Sequence, residues 1–248
     1  MKDQTKLFPV LIVGTGSGNC ETLTVKAYKA IQEADVVVYD SFQTENMLPL
    51  CKEGAEIEKL DKSPVIDEYA VREQVVDVIE KHYRRGKRVV RLKVGDAFIF
   101  GRGATETEII KKRGISMEIV PGITAAVAAS AAFGIAQTEK GESDALIYFM
   151  AANFPQNRPM LHALVPAIES GATVALYMAC KHIDHIVAEL QQRGVKSDLP
   201  VAVASQVGLP KQHSYMCTLK SLPELMKKYQ LEEPVTFFVG QHVRMYKS

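Results

Sequence analysis

The chain has few of the features that mark a stapled, membrane-spanning or nucleic-acid-wrapping protein. Its four cysteines, Cys20, Cys51, Cys180 and Cys217, lie far apart and form no C-x-x-C pair, which argues against a zinc cluster and against a dense disulfide framework. Reduced thiols in a cytoplasm fit this usage. There is no long apolar run: the N-terminus opens Met-Lys-Asp-Gln-Thr-Lys, and the short apolar stretch after it is interrupted by Gly14. Neither a signal peptide nor a membrane-crossing helix is expected from that pattern. There is also no excess of one charge. Thirty basic against twenty-nine acidic residues leave a net charge of +1, so neither nucleic acid nor an anionic membrane is expected as a partner. No short-period repeat, low-complexity tract or heptad seam is present. What remains is 248 residues, 47% hydrophobic and 24% charged, enough to bury a core as one large domain or two smaller ones.

The apolar pattern predicts alternating strands and helices. Residues 9–13 read as a strand, 14–19 as a glycine loop and 22–33 as a helix. Val36-Val37-Val38-Tyr39 is apolar at every position, as in sheets covered on both faces. Val71, Val75, Val78, Ile79 and Tyr83 recur at helical spacing before Gly86 and a strand over 88–92. A loop over 93–103, a helix to about 113 and a strand over 117–120 follow. Pro121-Gly122-Ile123-Thr124 breaks the pattern, and Thr124 can cap the Ala-rich helix running to about 133. A domain boundary is therefore expected here, giving domains 1–121 and 122–248. In the second, strands near 146–150, 173–178, 201–204 and 235–239 alternate with helices near 160–169, 183–193 and 222–229. The expected fold class is α/β, with two domains, a mixed sheet in each and a ligand cleft between them.

Two loops carry chemistry. Gly14-Thr15-Gly16-Ser17-Gly18-Asn19 lets a ligand approach the backbone; the plainer alternative is a tight strand-to-helix turn. A dinucleotide loop would end in glycine where this one has Asn19. The second loop, Arg91-Leu92-Lys93-Val94-Gly95-Asp96-Ala97-Phe98-Ile99-Phe100-Gly101-Arg102-Gly103, leaves a buried strand where open α/β sheets hold ligands. It can also be read as a surface loop with its phenylalanines packed inward.

That second loop resembles the R-L-K-G-G-D-P-F-x-F-G-R-G signature of the uroporphyrinogen-III C-methyltransferases, with Val94 for a glycine and Ala97 for the proline. Val120-Pro121-Gly122-Ile123-Thr124-Ala125-Ala126, Ala34 to Asp40 and the opening loop continue the resemblance, and the second half follows more loosely. The resemblance implies a two-domain tetrapyrrole methylase fold and a homodimer. It implies S-adenosylmethionine held by Gly16, Ser17, Val94, Gly95, Asp96, Ile99, Thr124, Ala125, Met178 and Val207. By the same resemblance Asp40 is a proton acceptor, Lys62 a proton donor and Arg102 a catalytic, substrate-binding arginine; a guanidinium suits the acid arms of a tetrapyrrole. Lys140 stands for a further substrate-binding arginine. The family's glutamate three residues after the arginine is here Thr105, with Glu106 next. The activity implied is methylation of uroporphyrinogen III to precorrin-2, without a metal; His182 and His185 read as solvated.

Substitutions at Ser17, Val94, Thr105, Glu139 and Lys140 motivate one alternative, a methylase of the same superfamily acting on another tetrapyrrole or a protein side chain. A silent binder of tetrapyrrole or S-adenosylmethionine is another. The glycine loop alone suggests a third, a nicotinamide oxidoreductase.

Overall fold

Val10–Gly14 (β1) is a strand without a polar side chain, and such strands require cover on both faces. The computed structural model describes residues 6–60 and 68–246. The chain divides into two compact units, Met1–Thr124 and Ala125–Ser248.

In the first unit, β1 is joined by Val36–Tyr39 (β2), Glu56–Lys59 (β3), Val89–Lys93 (β4) and Met117–Val120 (β5) in the spatial order β3-β2-β4-β1-β5. Every pairing is parallel. The helices are Val25–Glu33 (α1), Phe42–Glu45 (α2), Glu68–Tyr83 (α3) and Gly103–Lys112 (α4). Successive residues of a strand face opposite sides, and β2 shows the consequence. Val36 and Val38 pack with Val75, Ile79 and Ile110 of α3 and α4, whereas Val37 packs with Ala27 and Ile31 of α1. The Thr24 side chain caps α1 by accepting from Ala27 N at 3.2 Å.

The second unit begins with Ala125–Phe133 (α5). Its strands are Leu146–Met150 (β6), Thr173–Tyr177 (β7), Pro200–Ser205 (β8), His213–Thr218 (β9) and Val235–Val239 (β10), ordered β6-β7-β10-β8-β9. β6 and β7 are parallel and the other pairings antiparallel. Arg158–Ala163 (α6), Val165–Glu169 (α7), Ile183–Gln192 (α8) and Leu222–Tyr229 (α9) complete it. Leu161, Ile168, Ile186 and Leu190 pack with Leu176, Val203 and Phe237 in one core.

Three expectations need correction. A mixed sheet holds for the second unit alone; in the first, the connections place consecutive strands parallel. The helix expected over 160–169 is two helices, because Pro166 lacks an N–H and crowds the preceding turn. Finally, β3 and β9 lie outside the expected set. Both are edge strands, and β3 alternates charge with a single isoleucine, so neither shows an apolar run.

Candidate active site

The site expected from the loops is built, in the first unit, on the carboxyl ends of parallel strands. Thr15 N, just past β1, donates to Lys93 O at 2.8 Å, and Gly16 and Gly95 exchange backbone hydrogen bonds of 3.2 and 2.7 Å. The two loops are thereby fastened together. Glycine is required for this approach. A Cβ on Gly122 would lie 2.1 Å from Gly95 O, and one on Gly14 would lie 2.6 Å from Gly122 N, so three strand ends interlock through bare backbone. Asp96 adds the side-chain fastening: Phe98 N donates to its Oδ1 at 2.9 Å and Gly122 N to its Oδ2 at 3.1 Å.

Gly16, Ser17, Val94, Gly95 and Asp96 thus come together as expected neighbours, with buried Thr124 two residues beyond Gly122. Ile99 is half-buried in the second loop. Ser17 is buried, yet among the described residues its Oγ has no hydrogen-bond partner. A buried orphan hydroxyl in a glycine loop suits a polar ligand group. Arg102 is exposed at the start of α4, with φ 57°. A left-handed backbone at an arginine is a strained conformation of the sort concentrated at functional sites.

Asp40, at the end of β2, belongs to a buried charge network that sequence reasoning missed. The Arg91 Nη2 donates to Asp40 Oδ2 at 2.8 Å, and Nε and Nη2 of the same guanidinium donate to Glu106 Oε2 and Oε1 at 3.0 and 3.1 Å. Lys93 Nζ donates to Glu106 Oε1 at 2.7 Å, and Arg72 Nη1 to the same oxygen at 3.1 Å. Arg72 Nη1 also stands 3.6 Å from Asp40 Oδ2. Burial pushes the Asp40 carboxyl up, but the Arg91 guanidinium, with Lys93 and Arg72, overrides this and holds it at about 2. Glu106 follows the same logic: burial opposes its charge, while Arg91 and then Lys93 bring it to about 2. Lys93 is lowered by burial and by Arg91 beside it. One signal could have revealed the network. Arg91 and Lys93 sit in an otherwise apolar strand, where a charge is tolerated only when paired.

The remaining expected residues lie in the second unit or outside the described residues. Ala125 opens α5, whose Ala126 N donates to the Tyr177 hydroxyl at the end of β7 at 3.0 Å. Met178 follows with φ 54° and about half of its surface exposed. Val207 is buried after β8, and Lys140 is exposed in a turn closed by Glu139 and Ser143. Lys62 lies outside the described residues. Among the described residues, no three His, Cys, Asp or Glu side chains are grouped to hold a metal, and no helix is long and apolar enough to cross a membrane.

A family profile described as Tetrapyrrole (Corrin/Porphyrin) Methylases matches residues 9–223. The uroporphyrinogen-III C-methyltransferase of Bacillus subtilis strain 168 is 34% identical over 238 residues, covering 94% of this chain and 90% of that protein. A siroheme synthase of Actinobacillus pleuropneumoniae is 36% identical over 96% of this chain, and the chain spans about half of that relative's length, 48%. Among solved structures, a uroporphyrin-III C-methyltransferase of Thermus thermophilus in complex with S-adenosylhomocysteine superposes with a TM-score of 0.76 at 27% identity, over 94% of this chain and 98% of that one.

Proposed function

Because the chain belongs to the tetrapyrrole methylase family, we propose that it is an S-adenosylmethionine-dependent methyltransferase that C-methylates uroporphyrinogen III to precorrin-2. The observation that carries this reading is the site at the ends of β1, β2 and β4. There a glycine-fastened loop pair with a buried, unpartnered Ser17 hydroxyl accompanies an ionised, anchored Asp40. The Thermus relative's bound S-adenosylhomocysteine and the Bacillus relative's name support the donor and the acceptor respectively.

When bound, S-adenosylmethionine supplies an electrophilic methyl group on a sulfonium. On the present reading Gly16, Ser17, Val94, Gly95, Asp96, Ile99, Thr124, Ala125, Met178 and Val207 hold it. The fit rests on bare backbone at Gly16 and Gly95 and on the Ser17 hydroxyl, which a polar group of the ligand would satisfy. Asp96 acts through the loop it fastens, since both its oxygens already accept backbone N–H groups. Arg102 and Lys140 offer cations to the carboxylate arms of the macrocycle.

The ring carbon that gains a methyl must lose a proton, and Asp40 accepts it. A carboxylate held near pKa 2 is ionised at neutral pH. Its weak basicity matches a proton leaving a ring that has just gained positive charge. Lys62 takes the donor role that the family resemblance implies. The protein works as a homodimer in the cytoplasm, the first part resting on the resemblance and the second on four unpaired thiols.

The test is anaerobic incubation with S-adenosylmethionine and freshly generated uroporphyrinogen III, followed by mass spectrometry. A gain of one or two methyl groups is expected. Binding of S-adenosylhomocysteine without any gain would sink the substrate assignment, and preference for NAD would sink the donor. Arg102→Ala is expected to abolish turnover and leave S-adenosylhomocysteine affinity within about twofold.

A further inference from the structure

The network under Asp40 has a defined geometry. Its charged members are Asp40 at the end of β2, Arg91 and Lys93 from β4, Arg72 from α3 and Glu106 from α4. Glu106 is fully buried, Arg91 is fully buried, and the side chains of Lys93 and Arg72 are 6% and 9% exposed. Asp40, at 24%, is the member that meets solvent. Glu106 occupies the floor and takes Arg91 side-on through Nε and Nη2, which fixes the plane of the guanidinium. The second bond of Nη2 then points at Asp40 Oδ2. Among the described residues, the two cations at ion-pairing distance from Asp40, Arg91 and Arg72, both stand at Oδ2, and none donates to Oδ1.

We infer that Arg91 and Glu106 are positioning residues for Asp40: Glu106 locks the Arg91 fork, and the locked fork pins one oxygen of Asp40 while leaving the other for the proton that the reaction releases. The inference rests on the proposed role of Asp40. Glu106 also draws most of the surrounding positive charge to itself, with Arg91, Lys93 and Arg72 all bonded to it. A network kept only for stability would have no need of this asymmetry, since well-packed apolar side chains of similar volume serve equally well in that role.

The test compares two variants with the parent protein. Arg91→Lys keeps the charge but cannot bridge two carboxylates as a planar fork does. The double variant Lys93→Met/Glu106→Gln removes one charge of each sign, so the net charge of the network is unchanged and folding is protected. In both, kcat is expected to fall by roughly tenfold or more while S-adenosylhomocysteine affinity stays within about twofold. In Arg91→Lys the acidic limb of the pH–rate profile should also move upward, because Asp40 loses a charged hydrogen bond that favours its ionised form. A kcat within about twofold of the parent in either folded variant overturns the inference. So does a parallel loss of turnover and S-adenosylhomocysteine affinity, which marks a merely structural role. If the parent itself transfers no methyl group to uroporphyrinogen III, the functional reading fails separately. Positioning is then read from the ¹³C carboxyl titration of Asp40 in the ligand-free protein, which should rise in Arg91→Lys and overturns the inference if it does not move.

Discussion

Strands β4 and β10 each bury all five of their residues, and they do so with opposite chemistry. β10, Val-Thr-Phe-Phe-Val, sends Val235, Phe237 and Val239 into the apolar core of the second unit. β4, Val-Val-Arg-Leu-Lys, sends Val89 into the core beneath α3 and α4, but the next two residues on that face are Arg91 and Lys93. Each buried ion costs several kcal/mol in lost hydration, offset only by close partners. The second unit avoids that cost: among its described residues the buried polar ones are Ser143, Thr173, Ser205 and Thr236, all uncharged, with Ser143 and Thr173 bonded to each other at 3.0 Å. Val89, Val90 and Leu92 of β4 therefore hold the fold together, while Arg91 and Lys93, next to the loop over 94–103, equip the proposed site. Where a strand accepts charge that stability does not need, chemistry is the better explanation.

The comparison breaks most sharply on deleting one group from each unit. Glu106→Ala leaves Arg91, Lys93 and Arg72 without their shared carboxylate, and a loss of about 3–5 kcal/mol is expected. Phe237→Ala opens a cavity in the second core at a similar cost of about 3–5 kcal/mol. Urea unfolding followed by hydrogen exchange would assign each loss to its unit. A Glu106→Ala protein as stable as the parent would mean that the network contributes little as a counter-ion system.

Acid separates the units next. Glu106 and Asp40 titrate near 2 in the folded protein, against ordinary values of 4.5 and 3.8. Groups with depressed folded values stabilise above the unfolded pKa, and that contribution disappears as pH falls through the folded one. The window thus runs from about 4.5 down to about 2. Amides of β2 and β4 should lose hydrogen-exchange protection in that window before those of β7 and β10. The reverse order would show that the buried charges do not govern the acid stability of the first unit.

Much of the fold was legible because its central strands are apolar runs and its helices repeat at 3.6 residues. Val36–Tyr39, Leu146–Met150 and Val235–Val239 stand where the apolar pattern puts them. Two of the four edge strands, β3 and β9, were not legible. β3 reads Glu-Ile-Glu-Lys, as an edge strand that resists pairing with another chain should. The loops were legible through motif and glycine, but the network was not: Arg91 meets Asp40 across 51 positions and Glu106 across 15. No local pattern encodes a charge pairing of that kind. The left-handed backbone at Met178 and Arg102 was equally hidden, because neither residue type favours it.

Within the second unit, two residues share this left-handed backbone for different reasons. Met178 and Gln230 both have positive φ, 54° and 47°. Gln230 terminates α9, where a left-handed residue is routine and glycine is its usual occupant. Met178 follows β7 at an expected ligand position, after a strand and not at a helix C-terminus. Gln230→Gly should therefore stabilise the protein by about 0.5–1 kcal/mol and leave S-adenosylhomocysteine affinity alone. Met178→Gly should give a similar or smaller gain, since the same strain is relieved, and weaken S-adenosylhomocysteine binding by roughly tenfold through loss of its side chain. Calorimetry on both variants separates strain retained for a ligand from strain tolerated at a cap. Equal ligand affinities in the two would place Met178 with Gln230, as a turn residue and nothing more.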